Sequence, residues 1–303
     1  MTYVGFTGGE SAIQGAGEAM EYLRTRGENP IDAEVIQQQL WALQGRVLSE
    51  GGFYDPHLAS LAIKQTGGDS LEAAMTLRSH RTTLPRLSGL PVQDTTAMRC
   101  IRRISAAFKD IPGGQYLGPT PDYAHRLFRY DLLDEDDAAF QGRAADLFAG
   151  LREEPAAVPT SFPKVVAELR QQGLLPQPKD RSAEVAFDVT SEPLIFPVNR
   201  SAILGSMTRA ETGGLLALAY SNMRGYGDVH PTVAELRVGY VPVRAPHPIT
   251  GQDMVIGECL MTECEIVAMF QKPDEPDSPP YFTLGYGACF GHNEVKAIAM
   301  AIL

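Results

Sequence analysis

Apolar positions recur at helical spacing through roughly the first ninety residues, and polar caps punctuate them. Val35, Ile36, Leu40, Leu43 and Val47 predict one helix, capped by Asp32 and running to about Ser49, where Gly51 and Gly52 end it. Asp55 before Pro56 starts a second helix through about Gln65, and Gly67 and Gly68 stop it. Asp69 and Glu72 form a capping box for a third, through Leu77 to about His80. From Met98 the period changes. Ile104, Ala106 and Phe108 alternate with Arg103, Ser105, Ala107 and Lys109, and Tyr123, His125, Leu127 and Arg129 alternate with Ala124, Arg126, Phe128 and Tyr130, so both stretches predict strands. The glycine- and proline-rich segment Ile111 to Pro121 joins them as a loop.

Residues 134 to 200 open on the acidic run DEDD, hold a helix from about Phe162 to Gln172, and read as a surface excursion. A short helix at Ser201 to Arg209 follows, then sheet at Gly214 to Met223, Val233 to Arg244, Met254 to Phe270 and Tyr281 to Phe290. Asn293 caps a last helix containing Val295, Ile298 and Ile302, whose apolar end IAMAIL lacks any stop signal and suggests that further sequence follows. The expectation is an α+β fold, with a helical N-terminal lobe (1–93) packed on a mainly antiparallel, hairpin-rich β core (94–303) bearing a variable insertion at about 134–200.

Composition narrows the class. The chain has 303 residues, 44% hydrophobic and 21% charged, so it can bury a sizeable core. No apolar run reaches the ~20 residues of a bilayer span and no signal peptide is present, which predicts a cytoplasmic protein without membrane contact. Cys100, Cys259, Cys264 and Cys289 are too scattered for a disulfide framework. Cys259 and Cys264 fall on opposite faces of a strand, which argues against a zinc pair. A formal charge of -11 excludes nucleic acid as a natural partner. Against that background, Arg78 to Lys109 carries seven basic residues and one acidic one, a cationic island suited to a small polyanion or, alternatively, to a solvated helix face.

Three clusters could carry chemistry. The first runs from Arg102 to Leu133. There Arg102, Arg103, Lys109 and Arg126, with the pliant backbone of Gly113 and Gly114, are candidates for a triphosphate clamp, unless the arginines merely pair with acidic residues. His125 in this cluster and His230 in the second, LAYSNMRGYGDVHP, are candidate proton donors to a departing base. The third, GECLMTECEIV, places Glu258, Glu263 and Glu265 on an apolar strand, Glu263 and Glu265 on one face and Glu258 on the other. Buried glutamates are costly unless paired or used, so Glu258 and Glu263 are candidates to stabilise a sugar cation or hold a metal. The GYG at 285–287 and DEP at 274–276 read as turns.

The strings GGESAI, HRTTL, RRISAAFKDIPGGQYLGPTPDYAHRL, LALAYSNMRGYGDVHP, GECLMTECEIV and DEP followed by YFTLGYGACFG span the chain. Together they resemble the I-subunit family, PhnI, of the carbon-phosphorus lyase core complex. The resemblance implies phosphonate catabolism: with PhnG, PhnH and PhnJ, methylphosphonate displaces adenine from MgATP to give α-D-ribose 1-methylphosphonate 5-triphosphate. It also implies purine ribonucleosidase activity for the subunit alone, and ATP and an alkylphosphonate as ligands. The other reading is a scaffold whose partners supply the chemistry. Magnesium enters as MgATP. The family's C-terminal region, with an H-x4-H zinc pair shared with PhnJ, is missing from this sequence, so no metal ligand is carried over and zinc is doubtful here.

Overall fold

The computed structural model describes residues 9–27, 29–150, 162–179, 184–225, 230–271 and 280–303. Its helical part opens with α1 (Glu10–Arg24), which buries none of its residues, followed by α2 (Ala33–Gln39), α3 (Trp41–Gly51), α4 (Pro56–Gln65) and α5 (Ser70–Thr83). The polar caps act as expected. Asp32 accepts from the Glu34 N–H, Asp55 from Leu58, and Asp69 from Leu71 and Glu72, each satisfying a first-turn donor the helix cannot. Gly52 ends α3 in the left-handed region (φ 62°). The single helix expected from Asp32 to Ser49 is instead two, broken at Leu40 (φ −104°, ψ 40°). Ile36, Val47, Leu48, Ala59, Ile63, Ala73 and Leu77 form the core of this helical part, and Phe290 from the sheet packs against it.

Among the described residues the sheet has four antiparallel strands in sequence order: β1 (Arg99–Ile104), β2 (Thr232–Pro246), β3 (Asp253–Gln271) and β4 (Tyr281–Phe290). Between β1 and β2 lie α6 (Asp137–Ala149), α7 (Val165–Gln171), α8 (Arg200–Thr208) and α9 (Thr212–Gly225), and α10 (Glu294–Ile302) follows β4. The architecture is α+β, with the five leading helices preceding the sheet.

Three expected strands differ. The first ends at Ile104, because Ser105 turns the chain: its N–H donates to the Gln115 side chain (2.9 Å) and its Oγ accepts from Phe108 N–H (3.0 Å), local bonds that replace ladder bonds. Residues 123–130 pair with nothing in the sheet and are exposed on both parities, so their alternation has no core to face. Residues 214–223 lie in α9, where leucines and alanines favour helix and the Glu211 carboxylate receives the Gly213 and Gly214 N–H groups at its start.

One face of the sheet is apolar and is covered by α10. Leu236, Cys264, Ile266 and Cys289 pack there on Ala297 and Ala301. Gly285 and Gly287, expected in a turn, sit mid-strand under this helix. A Cβ at Gly285 would lie 1.8 Å from the Ala301 oxygen, and one at Gly287 would lie 2.1 Å from the Ala297 oxygen, so the helix seats directly on bare backbone. Asn293 caps α10 through Lys296 N–H, and its amide reaches Ser49 and Thr212 (both 2.9 Å). The buried Lys296 ammonium donates to the oxygens of Ser49 and Thr208 (both 2.8 Å), tying α10 to the ends of α3 and α8.

Candidate functional site

Period-two alternation places charged residues of β1, β2 and β3, with Tyr286 of β4, on the opposite face. Arg103 stands opposite Arg237, and Arg237 opposite Glu263; one step along, Glu235 faces Glu265, and Glu265 faces Tyr286. This face is closed by α7 and by the short 3-10 turn Thr95–Ala97. Arg103, Glu235, Arg237 and Glu263 are each 2% exposed or less, so every charge needs a partner.

The partners form one network. Arg103 Nε donates to Glu235 Oε1 (2.6 Å), and Glu235 Oε2 receives the N–H of Val165, the first residue of α7 (2.9 Å). Arg237 donates through Nη2 to Glu263 Oε2. Glu263 Oε1 accepts from Lys164 Nζ (2.8 Å), Thr95 Oγ1 (2.8 Å) and Tyr286 Oη (2.9 Å). Lys164 also reaches Glu265 (3.3 Å). Within this network two buried atoms find no hydrogen-bond partner among the described residues: Arg237 Nη1 and Glu265 Oε2.

The two glutamates of β3 sit in contrasting fields. Burial works against the charge of Glu263, but the Arg237 guanidinium and the Lys164 ammonium overcome it and hold the carboxyl down at about 2. For Glu265 burial dominates, and the neighbouring carboxylates of Glu263 and Glu235 add to it against Lys164, so its pKa is raised. Burial and Glu263 likewise push the Tyr286 phenol up, keeping it a donor. A carboxylate held ionised beside one biased toward its acid form is the arrangement that separates acid and base roles.

The residues singled out from sequence fall into three places. Arg103 and Glu263 belong to the ionic face. Arg102 is also fully buried but points elsewhere, to the Leu117 oxygen (2.6 Å), Asp122 and Glu294 (2.8 Å). Gly113 and Gly114 both have φ 82°, and the Gly114 oxygen accepts from Arg103 (2.9 Å), so their turn is bound to the arginine's guanidinium. Lys109, His125 and Arg126 lie exposed on the long segment after β1, with Arg126 in the left-handed region (φ 56°). Glu258 is exposed and pairs with Arg99 (2.9 Å), while His230 is exposed just before β2. Tyr226 and Gly227 of the second cluster, and DEP at 274–276, lie outside the described residues.

Sequence reading missed Glu235, Arg237, Lys164, Tyr286 and Thr95. Glu235 and Arg237 carried a usable signal, charged residues within the apolar run of β2, which is the argument that marked the glutamates of β3. Lys164 carried none.

On the α10 side of the sheet a cavity of roughly 710 Å³ opens among Ile203, Met207, Ile266, Met300 and Ile302; Arg200 is its one charged lining residue among those described. Among the described residues no group of three or more His, Cys, Asp or Glu is placed to hold a metal ion. No helix there is long and apolar enough to cross a membrane.

The fold and site thus define an α+β protein whose antiparallel sheet is greasy on one face and ionic on the other. The model of the bacterial phosphonate metabolism protein family, PhnI, matches residues 2–303, and the chain belongs to that family. It is 61% identical over its full length to the putative C-P lyase subunit protein HtxH of Stutzerimonas stutzeri, covering 81% of that protein. It is 44% identical over 99% of its length to the alpha-D-ribose 1-methylphosphonate 5-triphosphate synthase subunit PhnI of Escherichia coli (strain K12), covering 82% of it. Its identity to the subunit of that name from Rhizobium meliloti (strain 1021) is 40%, over 99% of this chain and 79% of the relative.

Proposed function

We infer that this chain is the I subunit of an α-D-ribose 1-methylphosphonate 5-triphosphate synthase in phosphonate breakdown. The observation that carries the reading is the family match along residues 2–303 together with the relatives of that name. The product's name defines the chemistry. A purine nucleoside triphosphate bears its base on the β face of the ribose and the product is the α anomer, so a single displacement with inversion accounts for it. A phosphonate oxygen forms the new bond to C1′, the bond from C1′ to the base nitrogen breaks, and its electron pair leaves with adenine. The phosphonate is its own nucleophile. What the protein must supply is a proton for the departing purine, a counter-charge for the sugar cation, and a hold on the triphosphate.

Glu265, biased toward its acid form and with one carboxyl oxygen left without a partner among the described residues, supports the proton-donor role. Glu263 keeps its negative charge beside it. Lys109 and Arg126, exposed on one segment, suit phosphate contact, and His125 and His230 are further proton donors in reach of solvent; Glu258 stands at the exposed end of β3. Arg102 and Arg103 act by shaping the turn at 112–117 rather than by direct contact. Magnesium comes with ATP as part of the substrate. With water in place of the phosphonate, the same site is a purine ribonucleosidase. The partner subunits are PhnG, PhnH and PhnJ, and the setting is the cytoplasm.

A scaffold role is favoured by a specific observation. Tyr123, Leu127, Phe128, Tyr130 and Leu133 are all more than two-thirds exposed along one segment, which is a surface that partner subunits would cover. Reconstitution with the partner subunits separates the readings. Glu265→Gln abolishes adenine release from MgATP while the complex still assembles if this chain supplies the acid; wild-type release from Glu265→Gln leaves the scaffold role.

A further inference from the structure

Arg78 and Arg81 lie one turn apart on α5, and the end of α8 brings Arg209 beside them from far along the chain. Arg78 Nη2 donates to the backbone oxygens of Glu50 and Arg209, and Arg209 Nη1 donates to Val189 O (3.0 Å). Carbonyl contacts of this kind suit helix ends but neutralise no charge. Asp188 is held by Arg86, Thr190 and Ser191. Glu50 turns Oε1 to Arg46 and Thr212, and its buried Oε2 has no hydrogen bond to any of the three arginines.

Arg81 is the odd member. Its side chain makes no hydrogen bond or ion pair among the described residues, and its Nε, like that of Arg78, is buried without a partner there. Burial, then the charge of a neighbouring arginine, lowers the pKa of Arg78, Arg81 and Arg209 alike. Guanidinium groups do not shed their protons in proteins, so the mutual repulsion persists in the folded chain. The ordinary resolution of such a cluster is an oxyanion, which accepts paired N–H bonds from the planar forks.

We propose that Arg78, Arg81 and Arg209 form a binding site for a phosphate group where the ends of α5 and α8 meet the segment 188–190. Arg78 and Arg209 are fixed in place by their carbonyl contacts, and Arg81 offers its Nη groups to the ligand. The cluster adjoins Glu50 and α3, on the helical side of the molecule, and shares no residue with the ionic face of the sheet. The shared chemistry is a tetrahedral phosphate, from either the tail of a nucleotide or free phosphate.

Calorimetric titration of the full chain with tripolyphosphate, MgATP and inorganic phosphate tests the site. Arg81→Gln is expected to weaken tripolyphosphate at least tenfold, while the charge-matched change at an exposed position, Lys179→Gln, alters it less than twofold. In anion-free buffer Arg81→Gln should melt at or above the parent, because repulsion is relieved, and should lose the stabilisation that tripolyphosphate gives the parent. ATP binding that falls in the same ratio assigns the site to a nucleotide tail; inorganic phosphate binding as tightly as tripolyphosphate assigns it to free phosphate. Binding by Arg81→Gln within twofold of the parent, or an equal loss in Lys179→Gln, overturns the proposal. Because these titrations follow binding without turnover, their failure leaves the synthase reading standing.

Discussion

Replacing Glu263 by glutamine keeps the side chain's shape and removes one negative charge from the centre of the ionic face. The carboxyl sits at about 2 in the folded chain against an ordinary value near 4.5. At roughly 1.4 kcal/mol per unit, that difference amounts to about 3 kcal/mol of folding stability at neutral pH. Independent reasoning reaches the same size, since breaking a buried ion pair by removing one partner costs about 3–5 kcal/mol. Here it leaves Arg237 and Lys164 short of a counter-charge. The sign follows from the direction of the shift. A depressed carboxyl contributes its stability fully above the unfolded value near 4.5 and loses it as pH falls toward about 2. Glu265, whose pKa is raised, contributes in the opposite sense: its stabilisation is greatest at low pH and fades as pH rises through its folded value. Urea unfolding from pH 3 to pH 7 reads both effects. Glu263→Gln should lose about 3 kcal/mol at pH 7 and show a flatter decline below pH 4.5, while Glu265→Gln should match or exceed the parent at pH 7. A loss under about 1 kcal/mol for Glu263→Gln, or an undiminished acid decline, would refute the reasoning.

Gly285→Ala and Gly287→Ala each force a methyl into the backbone of α10; both should lose at least about 3 kcal/mol in thermal unfolding, and ready tolerance of either would mean that the helix does not seat there. Lys296→Met leaves the Ser49 and Thr208 oxygens without their donor, at a cost of about 2 kcal/mol at pH 7. Burial lowers the Lys296 pKa to about 8, so parent stability should gain as pH rises from about 8 toward the ordinary lysine value, a gain missing from Lys296→Met. Phe128→Ser and Leu127→Ser, on a wholly exposed segment, should leave melting of the isolated chain within 1–2 °C of the parent and weaken capture of the partner subunits at least tenfold, read by surface plasmon resonance.

Local chemistry made much of the fold legible. Caps at Asp32, Asp55, Asp69 and Asn293, and runs at 233–244, 254–270 and 281–290, are decided within a few residues of themselves. The errors came where local pattern and tertiary context part company. Alternation at 123–130 had no face to bury, and the apolar run at 214–223 was ambiguous between buried strand and helix, with its leucine and alanine content favouring the helix it forms. The ionic face was half legible. Glutamates on an apolar strand announce that partners exist, but Lys164 meets Glu263 across 99 residues of sequence, a pairing set by how α7 folds over the sheet. The cationic island divides in the fold: Arg102 and Arg103 are consumed internally, while Arg78 and Arg81 gain Arg209, a residue outside the island.

The central claim is that this chain takes part in placing a phosphonate on the ribose of ATP and that the ionic face of its sheet serves that step. The most direct measurement is phosphorus NMR of the complex reconstituted with its partner subunits, supplied with MgATP and methylphosphonate, with parent or Glu265→Gln chain. The account predicts α-D-ribose 1-methylphosphonate 5-triphosphate and stoichiometric adenine from the parent, and neither from an assembled Glu265→Gln complex. Equal product from both complexes would contradict the role given to the ionic face, and no product from the parent complex would contradict the synthase reading itself.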